Sequence, residues 1–229
     1  SSKGWKTVGV PPMDGGANGL LSADPAQNPD FHNWTKFHLQ YCDGASFAGS
    51  GSTVVAGKSL HFQGAAMLHE FMDALLSLGG LAQGGRLIVG GTSAGGLATY
   101  LHLDSYRERM PKNVDVKGIP DAGFFLDLPT YSGVPLYEHE MRYVAKMQNV
   151  SGNVNAKCVA SYEPDEAWRC FMAEYAAPHV RTPMFALQSA YDAWQYGNVL
   201  KLPCSMPKCC PNETSAFLRF RNETLERMK

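Results

Sequence analysis

The stretch at 86–100, RLIVGGTSAGGLATY, constrains this chain more than any other part of it. Leu87, Ile88 and Val89 are apolar without alternation, the pattern of a parallel strand covered on both faces. Gly90 and Gly91 end that run. Ser93 stands in the frame Gly91-Thr92-Ser93-Ala94-Gly95, and Gly96, Leu97 and Ala98 lead into helical spacing. With this much glycine, G-x-S-x-G arises by chance in roughly one such chain in six, so its meaning comes from the strand before it and the helix after it. In that setting the turn forces the serine into a strained backbone with its hydroxyl exposed. The glycines two places to either side let strand and helix pass closely, and the helix start adds amide donors suited to an oxyanion. Ser93 is therefore the expected nucleophile.

A serine hydroxyl is a poor nucleophile at neutral pH and needs a base within hydrogen-bond reach, with a third group to orient that base. In folds with such an elbow the chain order is Ser, then Asp or Glu, then His. Asp192 fits the acid, because it follows the apolar run in PMFALQSAY and so sits where loops leave the ligand-facing edge of a sheet. Asp121 ends the first strand after the elbow, a position better suited to tying down a loop. All seven histidines (His32, His38, His61, His69, His102, His139, His179) precede Asp192, and none occupies the chain position of a triad base. His69 and His102 lie on helices in structural positions, and His179 is the least unsuitable internal substitute. The catalytic histidine is thus expected to be absent from these 229 residues.

The rest of the chain reads as alternating strand and helix. Residues 1–31 have no periodicity and read as loop. KFHLQYC at 36–42 alternates like a strand, and 62–78 carries Met67, Phe71, Leu75 and Leu78 on one helical face with Gly79 as its stop. The elbow helix ends before Pro111, and 116–119 is a short buried strand. Helices are expected around Tyr137, Met141 and Val144, and around Trp168, Phe171, Met172 and Tyr175 with Asp165 as N-cap. A last strand follows at 183–187, and then a helix bearing Phe217, Phe220 and Leu225. The order implies an α/β class, a mostly parallel sheet with helices on both faces, in a single domain over residues 1–229.

A net charge of -1 leaves no electrostatic footprint for nucleic acid. No run approaches eighteen apolar residues, so no membrane-spanning helix is expected, and no signal peptide stands at Ser1. Six cysteines without zinc-ligand spacing point to disulfides. Sequons at Asn33, Asn149, Asn212 and Asn222 agree with them, where about one would be expected by chance. Together they suggest a secretory compartment and a mature or trimmed segment.

Several stretches together resemble the pectin acetylesterase/Notum family: YCDGASFAGS at 41–50, LHFQGA at 60–65, GGTSAGGLATYLHLD at 90–104, DAGFFLD at 121–127 and AYDAWQ at 190–195. The resemblance implies an α/β-hydrolase fold with Ser93 as nucleophile, Asp192 as triad acid and the Ala94 N–H as an oxyanion donor. No metal or organic cofactor is implied. Plant members usually carry Cys before the nucleophile, where Thr92 stands here. The family's upstream E-G-G-G-W-C oxyanion segment and its histidine near the C-terminus have no counterpart, so the chain resembles the middle of a family member. As it stands it is expected to be inactive. The resemblance also implies a Cys158–Cys170 disulfide, pairing of Cys204 with Cys209 or Cys210, and a partner for Cys42 upstream of Ser1. The implied activity is a secreted serine esterase releasing acetyl groups from pectin or a related cell-wall polysaccharide. The alternatives are a lipid or protein deacylase, or a glycan-binding homologue without catalysis.

Overall fold

The computed structural model describes residues 19–205 and 207–229, so the loop expected at 1–31 lies partly outside the described residues. The chain divides into two compact units, Ser1–Gln40 and Tyr41–Lys229. In the first, Gly19–Leu21 forms one 3-10 turn, and the Asn28 amide donates to the carbonyls of Leu20 and Ser22. The strand expected over 36–42 does not form. Alternation supplies a face, but a strand also needs a neighbour for its backbone groups, and none pairs with this segment among the described residues.

The second unit begins with a hairpin, β1 (Ser52–Val55) and β2 (Lys58–His61), turned by Ala56 and Gly57, both at positive φ as a two-residue primed turn requires. Helix α1 (Gly64–Ser77) buries Leu68, Met72 and Leu75 on one face. The left-handed residue beyond its end is Gly80, not Gly79, whose N–H donates to the Leu75 carbonyl instead.

Strand β3 (Gly85–Thr92), helix α2 (Ala94–Arg109) and strand β4 (Val114–Asp121) then form a parallel β-α-β unit. Its register runs from Gly85 opposite Val114 to Thr92 opposite Asp121. Helix α2 stops at Met110, whose extended ψ is what the following Pro111 demands. Residues 183–187 lie parallel along the other side of β4, Met184 opposite Gly118 and Leu187 opposite Asp121. The N–H groups of Phe185 and Leu187 donate to Gly118 and Pro120. The strand expected at 183–187 is thus reduced to two isolated bridges, and β3, β4 and this bridged segment end at one edge. β4 alternates, with Val114, Val116 and Gly118 buried toward α2. A Cβ on Gly118 would sit 2.5 Å from Leu103 Cδ2, so glycine there makes room for a fully buried leucine. That burial contributes about 1.5–3 kcal/mol. β3 is the outer strand, and Leu87, Ile88 and Val89 are only half-buried, not covered on both faces.

Past β4 the chain turns inward, and Phe124, Phe125 and Leu126 enter the core beside Leu97, Tyr100 and Leu101 of α2. Helices α3 (Leu136–Gln148) and α4 (Ala156–Val159) follow. The single helix expected around Trp168 is instead a 3-10 turn, Ala167–Phe171, and a short α5 (Ala173–Ala176), with Glu166 at the N-cap position in place of Asp165. Trp168, Cys170, Phe171 and Met172 are all buried, and the Cys158–Cys170 disulfide pins the segment, so a regular one-sided helix has no place there. Helix α6 (Ala193–Asn198) follows 183–187, and α7 (Pro211–Arg227) closes the chain with Phe220 and Thr224 inside and Leu225 exposed. Cys204 pairs with Cys209, leaving Cys210 and Cys42 as free, exposed thiols.

Candidate active site

Ser93 extends the β3–β4 ladder one residue beyond the strand, its N–H donating to the Asp121 carbonyl at 2.9 Å. It then turns the chain into α2 with φ 59° and ψ -120°, a conformation a non-glycine residue adopts only at a cost of about 1–3 kcal/mol. The side chain is exposed and does not cap α2. A Cβ at Gly91 would lie 2.6 Å from the Gly95 backbone, whereas one at Gly95 would meet nothing within 4 Å. The second close approach involves Gly96 and Gly123: a Cβ on Gly123 would sit 2.2 Å from the Gly96 carbonyl carbon. Helix α2 thus starts pressed against the end of β4. Thr92 Oγ1 donates to Asp121 Oδ2 at 3.1 Å, so Asp121 holds the elbow by side chain and backbone together.

Asp192 leaves the same edge of the sheet. Thr92, Asp121 and Leu187 stand side by side in register, with Ser93 next after Thr92 and Asp192 five residues past Leu187. It is the N-cap of α6, where Oδ1 accepts the N–H groups of Trp194 (3.0 Å) and Gln195 (3.1 Å). Oδ2 accepts from Gln188 Nε2 (3.0 Å) and Gln195 Nε2 (2.9 Å). The glutamines are themselves fixed, Gln188 Oε1 accepting the Phe124 N–H and Gln195 Oε1 the Leu126 N–H. Four donors on one half-buried carboxylate hold it in place.

Ala94 is the first residue of α2, where backbone N–H groups have no partner within the helix. Its carbonyl accepts from Ser46 Oγ at 2.9 Å. Of the five histidines in the second unit, none hydrogen-bonds Ser93 or Asp192 among the described residues. His102 is buried on α2 with Nε2 2.8 Å from the Ser46 carbonyl, and the His179 carbonyl accepts from Asn155. Sequence reasoning missed Gln188, Gln195 and Ser46. Gln195 stood within AYDAWQ, three residues past Asp192, where a side chain on the first turn of a helix reaches back to its N-cap.

The family profile described as pectinacetylesterase matches residues 12–229. The chain belongs to the pectinacetylesterase family. It is 39% identical to pectin acetylesterase 5 of Arabidopsis thaliana over 80% of this chain and 42% of that protein. To the palmitoleoyl-protein carboxylesterase NOTUM of Drosophila melanogaster it is 32% identical over 77% of this chain and 27% of the relative. It thus spans less than half the length of these curated relatives. A solved structure of the Wnt deacylase Notum from Drosophila matches with a TM-score of 0.80 at 27% identity, over 92% of this chain and 61% of that one. The pectinacetylesterase chain therefore has an α/β-hydrolase-like fold, with β3 and α2 forming its elbow.

His102 gives this family member a pH-dependent term in stability. Burial pushes its pKa down from 6.5 to about 4, outweighing the Ser46 carbonyl and the Asp43 carboxylate, which pull it up; His69 adds to the lowering. The stabilisation is complete above pH 6.5, where both states are neutral. It is lost as pH falls toward 4, because only the unfolded chain then takes up the proton. A shift of this size corresponds to about 3 kcal/mol at pH 4. Urea unfolding between pH 7 and 4 should show a loss of this order relative to His102→Gln; parallel curves for the two proteins would contradict it.

Proposed function

We propose that the protein is a secreted serine carboxylic-ester hydrolase that removes acetyl groups from pectin or a related cell-wall polysaccharide. The observation that carries this reading is Ser93 at φ 59° and ψ -120°, exposed at the head of α2 and at the same sheet edge as the fixed carboxylate of Asp192. The pectinacetylesterase profile supports this substrate class. Ser93 Oγ attacks the acetyl carbonyl and passes its proton to a histidine oriented by Asp192. The Ala94 N–H donates to the oxyanion as the tetrahedral intermediate forms. Collapse of that intermediate releases the sugar hydroxyl, which takes the proton from the imidazolium. Water then attacks the acetyl-serine and frees acetate. The base in this reading is none of the five histidines of the second unit, since among the described residues none hydrogen-bonds Ser93 or Asp192 and His102 Nε2 is committed to the Ser46 carbonyl. Secretion is supported by the two disulfides. No helix among the described residues is long and apolar enough to cross a membrane.

The likeness to Notum favours a second reading, removal of a long acyl chain from a lipid-modified protein. A long chain needs a deep apolar cavity, whereas acetyl needs only a shallow one. Rates of the full-length protein on acetyl and octanoyl esters separate the two. The first reading expects acetyl hydrolysis to be faster by about ten-fold or more, as the loss of several favourable or tolerated methylenes implies. Faster octanoyl hydrolysis would favour the deacylase. Binding of acetylated pectin without reaction at a fluorophosphonate probe would indicate a glycan-binding homologue.

A further inference from the structure

Ser46 is buried and sits at φ 48°, followed by Phe47 at φ 61°. Two consecutive left-handed residues, neither glycine nor asparagine, are sterically costly and persist only where the surroundings over-determine them. Here the surroundings do. The Ser46 N–H donates to Tyr41 Oη (3.2 Å), its hydroxyl donates to the Ala94 carbonyl (2.9 Å), and its carbonyl accepts from His102 Nε2 (2.8 Å). All three polar groups of one residue are used, two of them on α2. Asp43 braces the loop from within, Oδ1 accepting the N–H groups of Ala45 and Phe47 and Oδ2 that of Gly49. The C-terminal end of α3 braces it from outside, the Gln148 carbonyl accepting from Ser50 and Gly51.

The loop therefore grips α2 at two points, at Ala94 in the first turn and at His102 about two turns further on. The His102 ring meets a carbonyl, so Nε2 carries the proton and donates it. The left-handed Ser46 is thus the residue that touches Ala94, the nucleophile's neighbour.

We propose that Ser46 and His102 are positioning residues that hold the Ala94 end of the elbow, so that the Ala94 N–H and Ser93 Oγ keep their productive orientation. The proposal rests on the reading of Ser93 as nucleophile and Ala94 as oxyanion donor. Neither Ser46 nor His102 touches the substrate in this scheme; each acts through the first turn of α2.

The test is Ser46→Gly in the full-length protein. Glycine adopts φ 48° without penalty, which offsets the lost hydrogen bond, so the variant should fold with a thermal midpoint near that of the unsubstituted protein. Labelling of Ser93 by a fluorophosphonate should slow by about ten-fold or more, and kcat on an acetyl ester should fall with KM unchanged. Ser46→Asn, which tolerates the left-handed backbone and restores a donor, should recover part of the rate. His102→Leu, which leaves the Ser46 carbonyl without its donor, should slow labelling as well. Ser46→Gly labelling Ser93 at the unsubstituted rate would overturn the clamp while leaving the nucleophile in place. If Ser46→Gly melts lower, the rate well below its midpoint decides, and an unchanged rate there overturns the clamp too. Labelling of the unsubstituted protein at a residue other than Ser93 would overturn the nucleophile reading and the clamp with it.

Discussion

Replacing Ser93 with Ala in the full-length protein should lower acetyl-ester hydrolysis by roughly 10⁴- to 10⁶-fold and leave the thermal midpoint unchanged. The activity is lost because no other group can form the acyl-enzyme at that point. The fold persists because the hydroxyl makes no hydrogen bond among the described residues and does not cap α2. Alanine carries the same Cβ as serine at φ 59°, so the backbone cost is the same before and after. Fluorophosphonate labelling followed by intact mass and peptide mapping reads the result directly. Retained hydrolysis in the variant would place the nucleophile elsewhere.

Asp192→Asn should cost roughly 10⁴-fold in kcat, the scale seen when a triad carboxylate becomes an amide and the base adopts the wrong tautomer. Unlike the serine variant, it should also lose stability. Four N–H donors converge on this carboxylate, from Trp194, Gln188 and twice from Gln195. An amide keeping its oxygen toward the α6 backbone would turn its NH₂ toward the two glutamine amides, and neither glutamine can flip, because each Oε1 already accepts a backbone N–H. A donor facing donors costs about 1–3 kcal/mol. The measurements are kcat and the thermal midpoint, and full activity in this variant would remove Asp192 from the catalytic assignment.

The elbow was legible because its signal is local: a strand, two glycines, a serine and a helix in fifteen residues leave few backbone solutions. The C-terminal limit of α2 was equally legible, set by Pro111. Asp192 could be placed from chain order, yet the two glutamines that hold it could not, because their partners Phe124 and Leu126 lie some seventy residues away. Ser46 was invisible for the same reason, its partners Ala94 and His102 being far along the chain, and nothing in the letters marks a serine as left-handed. The strand expected at 36–42 failed because alternation describes one side of a bargain that needs a neighbouring strand. The helix expected around Trp168 failed because its apolar residues are buried on every side, which erases the contrast on which a helical period is read.

β4 has a further consequence for the chemistry, as a spacer. It stands between the strand that ends in Ser93 and the one that leads to Asp192. The two therefore leave the sheet about 10 Å apart, twice the distance between neighbouring strands. One imidazole with a hydrogen bond at each nitrogen spans nearly that gap once the two side chains reach inward. On the proposed assignment the ring that joins them lies over the end of β4, at Asp121 and Ala122, where the chain turns at φ 48°. On that assignment the width of one strand sets the span of the proton path.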